Sequence, residues 1–190
     1  MTGITLGLPR EANDFYRDPP IATEKLLQVE AFVGRGLDPA AGTGTIPRVF
    51  RERGRDFHGT DLVERPSGGL VLPGVDFLEP GAIEAQSFFP VDYVASNPPY
   101  KLADRFVARA MALPGLYKAA FLLPLTFLEG TRRKREIYDR LPLARVWVFS
   151  FRVSMPPGNV AVEAEGGKRA YAWFVFEKSW RGPPHVGWLE

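Results

Sequence analysis

The stretch Leu37-Asp38-Pro39-Ala40-Ala41-Gly42-Thr43-Gly44 reads as a strand that runs into a tight turn and then a helix. Gly42 and Gly44 can take backbone conformations closed to other residues, and they let a ligand approach the main chain. The helix behind them would offer unpaired N–H groups and a partial positive charge. Asp61 ends the next expected strand, where a carboxylate can accept both hydroxyls of a ribose. Pro47 stands where a dinucleotide fingerprint needs its third glycine, and Asp38 leads into the turn. A carboxylate there repels a pyrophosphate and attracts an ammonium. The pattern therefore points to a nucleoside that carries an amino-acid ammonium and no phosphate, as S-adenosylmethionine does.

A second stretch, Asp92-Tyr93-Val94-Ala95-Ser96-Asn97-Pro98-Pro99-Tyr100, is a compact apolar strand stopped by two prolines, which cannot continue a central strand. Taken alone, Asn97-Pro98-Pro99-Tyr100 could be no more than a turn that closes the strand.

Alternating elements must position these residues. Apolar spacing predicts helices over Ile21–Val33, Thr45–Arg53, Pro80–Gln86, Lys101–Leu113 and Glu129–Leu141. Strands are expected at Leu37–Asp38, Phe57–Leu62, Val75–Phe77, Val91–Ser96, Leu116–Leu125, Arg145–Phe151 and Tyr171–Phe176. Strand and helix alternate as far as residue 141, which predicts a parallel sheet with helices on both faces. No helix separates the last two strands, so they are expected to pair antiparallel at the edge. Residues 155–168 read as a long glycine- and proline-bearing loop. One domain over residues 1–190 is expected.

Composition narrows the chemistry. Hydrophobic residues make up 45% and charged residues 24% of the 190, the proportions of a globular chain that buries a core. There is no cysteine, which excludes disulfides, thiolate nucleophiles and cysteine zinc sites. Only His58 and His185 are available to a histidine-built metal site, and none is expected. The apolar runs are too short to span a bilayer and the N-terminus lacks a signal-peptide core, so no membrane partner and a cytoplasmic location are expected. The net charge of +2 is compatible with a polyanionic partner without requiring one. The densest basic run, Arg132-Arg133-Lys134-Arg135, could contact phosphates or could be a solvated helix face paired with Glu129, Glu136 and Asp139.

The motifs occur in an order that resembles one family. Asp92 to Tyr100 is similar to the signature of amino-methyltransferases that act on N6 of adenine, and Asp38 to Gly44 to their cofactor motif. Gly59-Thr60-Asp61-Leu62, Asp76-Phe77 and the strand ending Leu122-Leu123-Pro124 extend the match. Asp14-Phe15-Tyr16 with Pro19 resembles the N-terminal segment that covers the methionine part of the cofactor, here within residues 1–33. The whole resembles compact DNA adenine methyltransferases of the phage and prophage kind. The resemblance implies an α/β, Rossmann-like class I methyltransferase fold: a mostly parallel seven-stranded sheet with an antiparallel strand at the C-terminal end. It implies S-adenosylmethionine as cofactor and a nucleic-acid substrate, DNA first.

Roles carry over residue by residue. Asn97 and the Pro98 carbonyl would accept the two N–H hydrogens of the amine, with Pro99 fixing the backbone and Tyr100 stacking on the base. Asp38, Pro39, Ala40, Gly42 and Gly44 would hold the methionine end of the cofactor, with Phe15 and Tyr16 over it. Asp61 and Leu62 would take the ribose, Asp76 the adenine amine and Phe77 its ring. Arg132, Arg133, Arg152 and Lys168 would meet substrate. The family often has threonine before the proline of the N-terminal motif, and here that residue is Asp18. Two alternatives stay open: an RNA adenine-N6 or protein glutamine-N5 methyltransferase, and a cofactor-binding nucleic-acid module without turnover.

Overall fold

The structure is a computed structural model that describes residues 17–155 and 169–190. Its centre is an eight-stranded sheet. The strands in chain order are β1 (Gly36–Asp38), β2 (Phe57–Asp61), β3 (Val71–Pro73), β4 (Tyr93–Ser96), β5 (Lys118–Pro124), β6 (Leu143–Phe149), β7 (Tyr171–Glu177) and β8 (His185–Leu189). Across the sheet they run β3-β2-β1-β4-β5-β7-β6-β8. Only β7 opposes its neighbours, pairing antiparallel with both β5 and β6, while β8 runs parallel to β6. This is the expected α/β class, with eight strands where seven were expected. The antiparallel strand is inside the sheet rather than at its edge.

The continuous apolar run of β5 follows from burial on both faces. Its side chains alternate: Ala119, Phe121 and Leu123 join the core beneath α3 (Ala103–Ala112), with Phe106, Val107 and Ala110. Ala120 and Leu122 join the opposite core with Leu26 of α1 (Pro20–Val29) and Ile46 and Phe50 of α2 (Thr45–Glu52).

Four elements depart from the expected bounds, each for a local reason. The first helix ends at Val29, not Val33, because Glu30 turns to extended backbone and sends its carboxylate to Lys118, Arg145 and Trp147. Val75–Phe77 is not a strand. The pairing falls on Val71–Pro73, after which Gly74 turns the chain at φ 76° and Asp76 caps the Leu78 N–H. Pro80–Gln86 forms successive turns rather than a helix, interrupted by Gly81 at φ 82°. The charged segment after β5 is one α turn, α4 (Thr131–Arg133), that widens to a π turn at Lys134–Tyr138. The wide turn accompanies burial of Ile137 and a hydrogen bond from the Tyr138 hydroxyl to the Phe127 carbonyl. β8, the unexpected strand, follows the breakers Gly182-Pro183-Pro184 and lies on the outer edge. Among the described residues no helix is long and apolar enough to cross a membrane.

Candidate active site

Strand order reverses at β1, with β2 and β3 to one side and β4 and β5 to the other. A sheet of this kind opens a crevice at the carboxyl ends of the strands, where that reversal occurs. Asp38 ends β1, Asp61 ends β2 and Asn97 follows the last residue of β4. The two sequence stretches are thus brought to one sheet edge.

Gly44 caps α2 in the left-handed region at φ 82°. A Cβ there would also crowd Leu70 Cβ at 3.1 Å, so glycine is needed for conformation and for space. The Gly42 N–H donates to Asp61 Oδ2 at 2.8 Å, which ties the turn to the end of β2. Asp61 is heavily engaged: its Oδ1 accepts from the Val63 N–H at 2.8 Å and from Arg65 Nη1 at 2.7 Å. A carboxylate has about four acceptor positions, so these three donors leave one. The Arg65 contact was invisible in the sequence, because nothing marks which arginine a turn will fold back onto its own strand end.

Asp38 is fully buried. Its Oδ1 accepts the Ala40 N–H at 3.1 Å, while Oδ2 has no partner among the described residues. Burial raises its pKa well above the usual carboxylate range and the Asp18 and Asp61 carboxylates push the same way, against the Ser96 hydroxyl and the Ala40 N–H beside it, which pull it down. Pro39 is buried and Ala40 half-buried beside it. Leu62 is 60% exposed, an apolar side chain next to Asp61.

At the end of β4, Asn97 Nδ2 donates to Asp18 Oδ1 at 2.7 Å and has Met155 Sδ at 3.7 Å. Asn97 Oδ1 is buried with no partner among the described residues. Burial pushes the Asp18 carboxyl up to about 7, against the hydrogen bond from Asn97 that lowers it. Pro98 is buried; Pro99 and Tyr100 are half-buried. The Tyr100 ring lies 6.0 Å from Tyr171, and its hydroxyl reaches Met155 Sδ at 4.0 Å. Burial raises the Tyr100 pKa well above its ordinary value, with Tyr171 adding to the effect, so the phenol stays neutral.

The other expected residues are placed less uniformly. Asp76 is exposed at a turn, whereas the Phe77 ring is in the core, 5.1 Å from Phe106. Arg133 is locked internally by Asp104, by the Phe127 and Glu129 carbonyls and by the Phe127 ring at 4.3 Å. Arg132 remains exposed but pairs with Asp104 and Glu136. Of the carboxylates expected to neutralise this run, Glu136 and Asp139 do so, Glu129 contributes only its carbonyl, and Asp104 was not anticipated. Arg152 is exposed just beyond β6. Phe15, Tyr16, Lys168 and most of the 155–168 loop lie outside the described residues.

No protein-family model and no functionally curated sequence matches the chain. Solved structures do. TrmN from Thermus thermophilus superposes with a TM-score of 0.51 at 24% identity, over 83% of this chain and 48% of that one. The 23S rRNA methyltransferase ErmE gives 0.55 at 18%, over 90% and 71%. A TehB-like SAM-dependent methyltransferase from Corynebacterium glutamicum gives 0.50 at 15%, over 83% and 87%. The fold is that of the class I methyltransferases. This chain spans about half the length of the TrmN chain. Within the methyltransferase fold, the ends of β1, β2 and β4 bring Asp38, Asp61 and Asn97 to one sheet edge, where two buried oxygens, Asp38 Oδ2 and Asn97 Oδ1, have no partner among the described residues.

Proposed function

We propose that the chain transfers a methyl group from S-adenosylmethionine to an exocyclic amino nitrogen of a nucleic acid, N6 of adenine in DNA. The observation that carries this reading is a pair of buried acceptors at the ends of neighbouring parallel strands, Asp38 Oδ2 and Asn97 Oδ1, neither with a hydrogen-bond partner among the described residues. Leaving such an atom unmatched costs about 1–3 kcal/mol, so a ligand that brings donors is favoured. One acceptor suits an ammonium and the other an amine, as this reaction requires.

The residues fit the cofactor. Asp38 answers its ammonium, the Gly42–Gly44 turn accommodates its methionine end beside Pro39 and Ala40, and Leu62 offers an apolar face. Asp61 has one acceptor position left for a ribose hydroxyl, and a second bond requires Arg65 to move aside. Asp76, exposed at its turn, would meet the adenine amine. Phe77 supports that turn from the core instead of facing the ring. S-adenosylmethionine supplies a methyl group on a sulfonium, open to attack by a nitrogen lone pair.

The amine of adenine is a weak nucleophile because its lone pair is delocalised into the ring. Asn97 Oδ1 and the Pro98 carbonyl accept its two hydrogens and draw the nitrogen toward tetrahedral geometry. Pro98 and Pro99 hold both acceptors in place before the substrate arrives, so no reorganisation accompanies reaction. When bound, the cofactor would supply its methyl to that nitrogen and be left as a neutral thioether, and the amine would give up one proton to water. A duplex substrate must first extrude the base at a cost of a few kcal/mol, part of which stacking on Tyr100 returns. Arg152, and Lys168 beyond it, supply phosphate contacts, with Arg132 contributing what its two acidic partners leave.

The test is transfer of labelled methyl from S-adenosylmethionine to unmethylated DNA, transfer RNA, ribosomal RNA and a peptide release factor. Label in N6-methyladenine of DNA, lost by at least about a thousandfold in Asn97→Ala with cofactor affinity kept within a few fold, is the expected result. Label in RNA adenine alone moves the substrate, label on glutamine moves the reaction to protein, and transfer that survives Asn97→Ala overturns the role of Asn97.

A further inference from the structure

Asp18 stands where the resembling family often carries threonine, yet it touches the residue on which the proposed chemistry turns. Its Oδ1 accepts from Asn97 Nδ2 at 2.7 Å, although the two residues are 79 positions apart. The same nitrogen faces a second acceptor, Met155 Sδ, at 3.7 Å. An ionised carboxylate can only accept, and a thioether sulfur is a weak acceptor. Asp18 and Met155 therefore call for the NH2 group on that side of the amide, and the Tyr100 hydroxyl, which Asn97 also meets, can accept from it. The carbonyl oxygen is left on the other side, buried and without a partner among the described residues.

We propose that Asp18 is a positioning residue that locks the Asn97 amide with its carbonyl oxygen toward the substrate nitrogen. The inference rests on the nitrogen-transfer reading above and adds its specificity. With the amide fixed this way, Asn97 presents an acceptor and no donor to the substrate. An amino group pairs with it, whereas a keto oxygen would meet Oδ1 with both atoms unsatisfied, the kind of mismatch that polar sites reject strongly. The lock thus selects amino-bearing bases over keto-bearing ones at the target position.

The lock depends on the charge of Asp18. Once protonated, its O–H can donate to Oδ1 of a flipped amide, and the orientation is no longer enforced. Among the described residues, the groups around Asp18 are Asn97, which stabilises the anion, the Asp38 carboxylate and the Tyr100 hydroxyl, with Arg17 its neighbour in the chain. Burial raises the Asp18 pKa to about 7, so the switch falls in an accessible range, while Tyr100 remains neutral throughout it.

The chain has three asparagines, Asn13, Asn97 and Asn159, so selective nitrogen-15 labelling gives side-chain amide signals that Asn97→Gln assigns. In the wild-type protein the Asn97 signal is expected to shift with pH around a midpoint of about 7, and the shift is expected to vanish in Asp18→Asn. The replacement amide has the same shape but donates as readily as it accepts, so it cannot enforce orientation. With labelled S-adenosylmethionine and unmethylated adenine-containing DNA or RNA, Asp18→Asn is expected to lower kcat at least about tenfold and to lose the acid limb of the wild-type pH profile. An Asn97 signal that ignores pH in the wild type, or a wild-type kcat and pH profile in Asp18→Asn, overturns the proposal. If the signal titrates as expected but no nitrogen in any nucleic acid gains a methyl group, the Asp18–Asn97 lock stands and the nitrogen-transfer reading falls.

Discussion

The two ends of the sheet both bury carboxylates and treat them in opposite ways. At the amino ends of β5 and β6, Glu30 accepts from Lys118 at 2.8 Å, from Trp147 at 2.8 Å and from Arg145 through both of its oxygens. Glu177 joins the same Arg145. Burial alone would raise the Glu30 pKa, but the hydrogen bonds from Arg145, Lys118 and Trp147 outweigh it and hold the carboxyl below its ordinary value. At the carboxyl ends of β1 and β4, Asp38 and Asp18 are displaced upward instead, and Asp38 keeps an oxygen without a hydrogen-bond partner among the described residues. One end is electrostatically closed. At the other, Arg65 pairs with Asp61, while no ion pair to Asp38 or Asp18 is formed among the described residues. Charge matching in a buried network stabilises a fold, whereas charge mismatch in a crevice is a capacity for binding.

The largest way to break this contrast is at the closed end. Glu30→Ala leaves Arg145 and Lys118 only Glu177 and the Ala31 carbonyl as partners, a loss of at most roughly 3–5 kcal/mol. Urea unfolding should show that loss across neutral pH. A loss within about 0.5 kcal/mol would mean that solvent already screens the network.

The pH response sharpens the contrast further. Asp18 keeps its proton up to about pH 7 in the fold and releases it near the ordinary carboxylate pKa when unfolded. Between those values the native state binds more protons, so this contribution is fully present in acid and is lost as pH rises through about 7. Asp38 acts in the same sense. Glu30 and Glu177, held below their ordinary values, contribute stability in the opposite sense, present above the unfolded pKa and lost as pH falls through the depressed one. Asp38→Asn should therefore gain stability over wild type as pH rises, with the gap closing in acid. A gap that does not change with pH would contradict a proton held at the open end.

The smallest effect concerns Arg65. On the proposed reading its bond to Asp61 would compete with a ribose hydroxyl, so Arg65→Ala should tighten S-adenosylmethionine binding by a few fold, under about 1 kcal/mol, as calorimetry would show. Weaker binding in that variant would instead make Arg65 a support for the Asp61 geometry.

What the sequence disclosed and what it hid follow from separation along the chain. The glycine turn and the end of β4 were legible because backbone requirements are local: Gly44 must adopt positive φ, and Pro98-Pro99 must stop a strand. The double burial of β5 was legible from its unbroken apolar run. The grip of Asp18 on Asn97, of Arg65 on Asp61 and of Asp104 on two arginines depends on tertiary approach, and no periodicity encodes it. β3 was displaced by a few residues because Gly74 places the turn after Pro73, and β8 was missed because a short edge strand behind two prolines leaves little pattern.

Titration calorimetry of S-adenosylmethionine binding near pH 6.5, repeated in buffers of different ionisation enthalpy, addresses the open end most directly. A cation that settles against carboxylates with raised pKa values lowers those values, so binding should release a measurable part of a proton, up to roughly one per ligand, and less in Asp38→Asn. Binding with no proton exchange, or release unchanged in Asp38→Asn, would contradict an acidic crevice that waits for this cofactor.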